Sequence, residues 1–198
     1  MENLIRLDLA RNKLNGPIPH SMANLTKLEK LYLFENQLSG PVPSEIGGME
    51  NLIDLELYGN ILNGPIPHSL ANLSKLELLY LYDNQLSSPV PSAIGDMENL
   101  VDLRLSLNKL NGPIPVSLAN SSKLEVLNLC ENKLSGSLPQ KICQGSIQYL
   151  SVLNNSLMGS IPDFRNCTSL RRVRLGINLF VGNIADNLLC IHIFITLI

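Results

Sequence analysis

The sequence predicts an α/β repeat solenoid of about eight units, each about 24 residues long. Three observations carry this reading. Met1–Asn24 (MENLIRLDLARNKLNGPIPHSMAN) and Met49–Asn72 (MENLIDLELYGNILNGPIPHSLAN) differ at only six positions. The stretch between them, LTKLEKLYLFENQLSGPVPSEIGG, keeps the same scaffold with other fillings. All 12 prolines fall in two slots of the period, slots 17 and 19. Units start near residues 1, 25, 49, 73, 97, 121, 144 and 167, and a closer likeness recurs at every second unit.

Each unit reads in order as strand, turn, return and short helical turn. Slots 4, 7 and 9 are apolar throughout, as in Leu52, Leu55 and Leu57, and the alternation around slots 7 and 9 has the period of a half-buried strand. Slot 12 is asparagine in all eight units: Asn12, Asn36, Asn60, Asn84, Asn108, Asn132, Asn155 and Asn178. Stacked buried amides, with donors and an acceptor each, can satisfy backbone groups where the chain leaves the strand. Slot 16 is glycine except at Ser88, and the prolines that follow predict a return free of regular helix and of central strand. A helical turn is expected at stretches such as HSLANL. One unit cannot bury its leucines alone, so units must stack.

Composition agrees. The 198 residues include 40 leucines and 22 asparagines, with 45% hydrophobic content, 16% charged residues and a formal charge of −2. That balance excludes a disordered chain and gives no basic surface for nucleic acid. HRD, DFG, HExxH and a phosphate-binding glycine loop are all absent, so no catalytic role, cofactor or metal is expected of this chain. His20 and His68 share a slot on the convex return, and His192 lies near the C-terminus.

The pattern LxxLxLxxNxLxGxIPxxLxxL resembles the plant-type leucine-rich repeat of receptor-like kinase and receptor-like protein ectodomains, over residues 1–189. The resemblance implies a right-handed superhelix with a parallel concave β-sheet and a second strand near the proline segment. The stretch SLRRVRLGINLFVGNI is similar to peptide-sensing receptor kinases. Solenoid is therefore expected over 1–189 and a non-repeat apolar tail over 190–198, too short to span a bilayer. Met1 matches Met49 and Met97 in slot, no cysteine cap or secretory signal precedes the repeats, and slot 19 of the last unit is Ala185. The expectation is a partial ectodomain from the extracellular face of the plasma membrane or the apoplast, whose longer parent could carry a Ser/Thr kinase.

Cys143 and Cys167 are separated by one rung of the solenoid, which puts a disulfide within reach. Cys167 with Cys190 is the competing pair, free thiols are the third possibility, and Cys130 is expected to be unpaired. Five N-x-S/T sequons, at Asn24, Asn72, Asn120, Asn154 and Asn166, make these asparagines glycosylation candidates.

Slots 6, 8 and 10 alternate with the core and must point away from it, forming three columns in which the repeats stop being alike. All five tyrosines lie there, at Tyr32, Tyr58, Tyr80, Tyr82 and Tyr149, with Phe34 beside them. Aromatics clustered at solvent-facing positions mark a binding surface, and Lys30, Asp54, Glu56, Asp102 and Arg104 border it with charge. In the last unit, Arg172 and Arg174 occupy slots 6 and 8 around inward Val173. Two adjacent guanidinium forks can hold a carboxylate bidentately. This RVR is similar to the RxR pair with which some peptide-sensing receptor kinases hold the free C-terminus of their ligand. The expected function is recognition of a secreted peptide or protein, with a co-receptor leucine-rich-repeat kinase as a further partner. An enzyme-inhibiting wall protein, or a truncated product without independent function, are the alternatives.

Overall fold

The computed structural model describes residues 3–143, 145–165 and 167–183, and the backbone of a strand at Phe194–Ile195. Apolar slots 7 and 9 in each unit fix a three-residue strand, and these strands stack in parallel in chain order. They are Arg6–Asp8, Lys30–Tyr32, Asp54–Glu56, Leu78–Tyr80, Asp102–Arg104, Val126–Asn128, Tyr149–Ser151 and Arg172–Arg174. Register matches slot to slot, as in Leu31↔Leu55 and Leu55↔Leu79. Inward leucines therefore form columns, and Leu31, Leu55, Leu79, Leu103 and Leu127 are each 0% exposed. The solenoid's concave sheet has a ninth strand, Phe194–Ile195, paired with Arg172 and Val173. These two residues fall in the segment expected to lie outside the repeats; the rest of 190–198, His192 and Cys190 included, lies outside the described residues.

The returns bear out the second strand near the proline segment and correct the expectation that proline keeps central strand out of them. They build a second parallel sheet of eight strands, from Asn15–Pro17 to Leu179–Val181, and its interior strands include prolines. Register there advances two slots per rung, with Gly40↔Leu62 and Pro41↔Asn63. Pro41 pairs only with the following strand, since the preceding strand reaches no further than Pro17↔Ser39. Proline's missing donor thus falls at a strand end, where no two-sided ladder needs it. The helical turns are 3-10 turns of four or five residues, such as His20–Asn24 and His68–Asn72. Among the described residues no helix is long and apolar enough to cross a membrane.

The slot-12 asparagines join the sheets. Asn60 Nδ2 donates to the carbonyls of Leu33, Leu57 and Tyr58 at 3.0, 3.1 and 3.2 Å, and its Oδ1 accepts from Leu38 N–H at 2.9 Å. Asn84 repeats the set one rung on. The residue before each asparagine is left-handed in every rung, from Arg11 (φ 55°) to Ile177 (φ 53°), and only Gly59 among them is glycine. Such a conformation costs a non-glycine residue roughly 1 kcal/mol, and the amide bonds, two at Asn12 and four in each later rung, hold it in place. Cys143 and Cys167 are joined in a disulfide with Cα atoms 5.3 Å apart, and Cys130 is free.

Candidate ligand-binding face

The outward columns of the concave sheet divide into two parts. Across the second to fourth rungs, slot 10 carries Phe34, Tyr58 and Tyr82 as a continuous stack. Ring centroids are 4.5 and 4.3 Å apart, with planes within 7° and 10°. Rungs about 4.8 Å apart impose that spacing on any column of aromatics. Tyr32 and Tyr80, from slot 8, tilt against this stack at 54° and 55°.

Asp54 and Asp102 depart from expectation. They sit in outward slots, yet they are only 5% and 7% exposed, so they are not surface groups bordering a patch. Each lies beside a tyrosine of the previous rung, with Tyr32 Oη donating to Asp54 Oδ2 at 2.6 Å and Tyr80 Oη to Asp102 Oδ2 at 2.9 Å. Arg104 clasps Asp102 through Nε and Nη2 at 3.0 and 2.8 Å, and its guanidinium lies 4.8 Å from the Tyr80 ring centroid. Burial, then the bond to aspartate, pushes both tyrosine hydroxyls above their usual range. Burial raises Asp54, and burial followed by the Asp54 charge pushes Glu56 up to about 7.

The second part spans the fifth to eighth rungs. Arg104, Asn128, Tyr149, Ser151, Arg172 and Arg174 line an open concavity of about 320 Å³, floored by Val126, Leu127 and Leu150. Arg172 and Arg174 form no ion pair among the described residues. Ser151 Oγ is buried without a hydrogen-bond partner among the described residues. Tyr149 is 42% exposed and stands here, apart from the other four tyrosines. Sequence reasoning singled out the arginines and Tyr149 but missed Asn128, Ser151 and Val126, which carry no distinguishing signal. Lys30 forms no ion pair among the described residues, and the aromatic stack does not reach into this concavity.

Asn24, Asn72 and Asn120 are exposed at the ends of equivalent 3-10 turns, and Asn154 is exposed beside the slot-12 ladder. Asn166 lies outside the described residues. No group of three or more His, Cys, Asp or Glu side chains able to hold a metal occurs among the described residues.

The model of the Leucine Rich Repeat matches residues 3–25, 27–49, 51–73, 75–97 and 123–144. The chain belongs to the leucine-rich-repeat family. No curated protein sequence matches it. Solved structures similar to this leucine-rich-repeat chain include the plant peptide hormone receptor RGFR1 in complex with RGF2. That match has a TM-score of 0.87 at 34% identity and covers 89% of this chain and 28% of that one. PEPR1 in complex with AtPEP1 aligns with a TM-score of 0.86 at 41% identity, over 89% of this chain and 25% of that one. The Arabidopsis receptor kinase HAESA, with the peptide hormone IDA and the co-receptor SERK1, aligns at 0.71 and 32% identity, over 90% of this chain and 35% of that one. The chain thus spans well under two thirds of these receptor structures. Its leucine-rich repeats resemble plant peptide-receptor ectodomains, a fold that is typically non-catalytic.

Proposed function

We propose that this chain is a ligand-recognition module that binds an extracellular peptide along its concave sheet and takes part in signalling at the plasma membrane. The supporting observation is the concavity of the fifth to eighth rungs. There, among the described residues, Arg172 and Arg174 lack an ion-pair partner beside the orphan hydroxyl of Ser151, with Tyr149 as an apolar wall. Two guanidinium groups aligned on adjacent outward slots of one strand suit the free carboxylate at a peptide's C-terminus. The peptide then runs along the columns toward the aromatic stack, whose ring edges supply apolar contact. A co-receptor of the same repeat family completes the complex, and glycans on the exposed sequons Asn24, Asn72 and Asn120 lie away from the concave sheet.

Calorimetric titration of a peptide library in paired free-acid and C-terminally amidated forms tests this. Free-acid binders are expected to lose about tenfold or more in affinity on amidation, and equally in Arg172→Ala/Arg174→Ala, a change of at least ~1.4 kcal/mol. Equal binding of acid and amide forms, with no effect of the double substitution, overturns it.

A further inference from the structure

The same arrangement occurs twice on the concave sheet, two rungs apart, with one residue changed. In the later copy, Tyr80, Asp102 and Arg104 form a closed set: the tyrosine hydroxyl takes one aspartate oxygen, the guanidinium binds both, and the arginine stacks on the ring. In the earlier copy, Tyr32 and Asp54 hold the same positions, but the slot of Arg104 is filled by Glu56. The consequences are visible. Among the described residues, Asp54 Oδ1 is buried with no hydrogen-bond partner, and the Glu56 side chain forms no hydrogen bond or ion pair.

Neighbouring cations do not repair this. Lys30 faces Asp54 across the sheet register yet forms no ion pair with it. Arg6 lies 4.9 Å from the Tyr32 ring centroid, but its guanidinium is hydrogen-bonded to Asp8 at 2.9 Å. A buried carboxylate oxygen without a donor costs roughly 1–3 kcal/mol, and a second acid beside it adds repulsion. The molecule therefore displays, in its own Asp102 rung, the group that the Asp54 rung lacks.

We propose that Tyr32, Asp54 and Glu56 form a subsite for an arginine side chain of the ligand. Its guanidinium enters over slot 8, where Arg104 enters in the sister rung. It reaches the Asp54 carboxylate as Glu56 swings aside to pair with it, and packs on Tyr32. The inference rests on reading the concave sheet as a peptide surface and sharpens it: one end takes a carboxylate, the other a cation, so the peptide's direction is set.

The probe is N-acetyl-arginine amide, with the citrulline analogue as an uncharged control, titrated into the full chain while the Tyr32 resonances are followed by NMR. Arginine amide is expected to give a saturable shift at Tyr32 and citrulline amide none. Asp54→Asn weakens binding about tenfold or more. Glu56→Arg abolishes it and raises the melting temperature, because the new side chain occupies the subsite from within. Arg172→Ala/Arg174→Ala leaves the shift intact. No saturable shift in the unsubstituted chain, or an undiminished one in both Asp54→Asn and Glu56→Arg, overturns the subsite. Should arginine amide bind here while no free-acid peptide binds the concavity, the peptide reading fails and the subsite stands.

Discussion

The asparagine ladder and the outward columns of the concave sheet are built on the same rungs, yet they treat polar groups in opposite ways. In the ladder, each amide of the interior rungs meets its partners within the scaffold, and one residue type suffices from Asn12 to Asn178. In the columns, neighbouring rungs supply different side chains, and satisfaction varies from complete at Asp102 to incomplete at Asp54 and Ser151. The difference teaches where a repeat protein keeps its chemistry. Groups that close on themselves can be copied indefinitely, whereas groups left open are those available to a partner.

The largest expected effect breaks the ladder. Asn60→Ala removes four hydrogen bonds and leaves the N–H of Leu38 unpaired in buried surroundings, while the carbonyls of Leu33 and Leu57 each keep one bond, from Asn36 and Asn84. A loss of about 3 kcal/mol follows, read as a lower midpoint in urea unfolding. A loss below about 1 kcal/mol would show that water replaces the amide. Next comes the closed set in the columns. Arg104→Ala strands the buried Asp102 carboxylate, and the expected loss is about 1–2 kcal/mol. This is less than for a fully buried pair, since the Arg104 side chain is 41% exposed. Asp102→Asn in the same background should recover part of that loss, and a failure to do so would contradict the pairing.

The smallest effect concerns pH. Glu56 has its carboxyl raised from 4.5 to about 7 by burial and by Asp54, so the folded chain holds an extra proton between those values. The associated stability is present below about pH 4.5 and is lost as pH rises through about 7. Asp8, Asp54, Arg6 and Arg104 all act on this group. Melting temperatures measured from about pH 4.5 to just above 7 should therefore fall more steeply in the unsubstituted chain than in Glu56→Gln. Parallel curves would remove Glu56 from the account.

Much of the fold was legible because its cause is periodic. Leucine at slots 4, 7 and 9 and asparagine at slot 12 recur at fixed spacing, and spacing is what a sequence displays. The left-handed residue at slot 11 was not legible, since Arg11, Glu35, Asp83 and Leu107 share no chemistry; the following asparagine imposes the conformation. Nor was the burial of Asp54 and Asp102. Alternation says which way a side chain points, but depth depends on what the previous rung lays beside it, here Tyr32 and Tyr80. A signal did exist: tyrosine at slot 8 with aspartate at slot 6 of the next unit, present twice and followed by glutamate in one copy and arginine in the other. The arginine end was read from Arg172 and Arg174 directly, whereas Ser151 and Asn128 join it only through the stacking of strands.

The near-identity of alternate rungs also bears on how the chain assembles. A rung misplaced by two positions still sets leucine over leucine and asparagine over asparagine, so burial and amide bonding barely distinguish a true neighbour from a false one. Connectivity does distinguish them. Closing a loop one repeat long costs about 1 kcal/mol less than closing one three repeats long, and the margin applies at every addition. Correct order is then secured by the shortness of the tether between successive rungs, and growth from one nucleus outward is the route that uses it. Two chains at high concentration lack that advantage over each other, which makes exchange of rungs between molecules the characteristic error of this sequence.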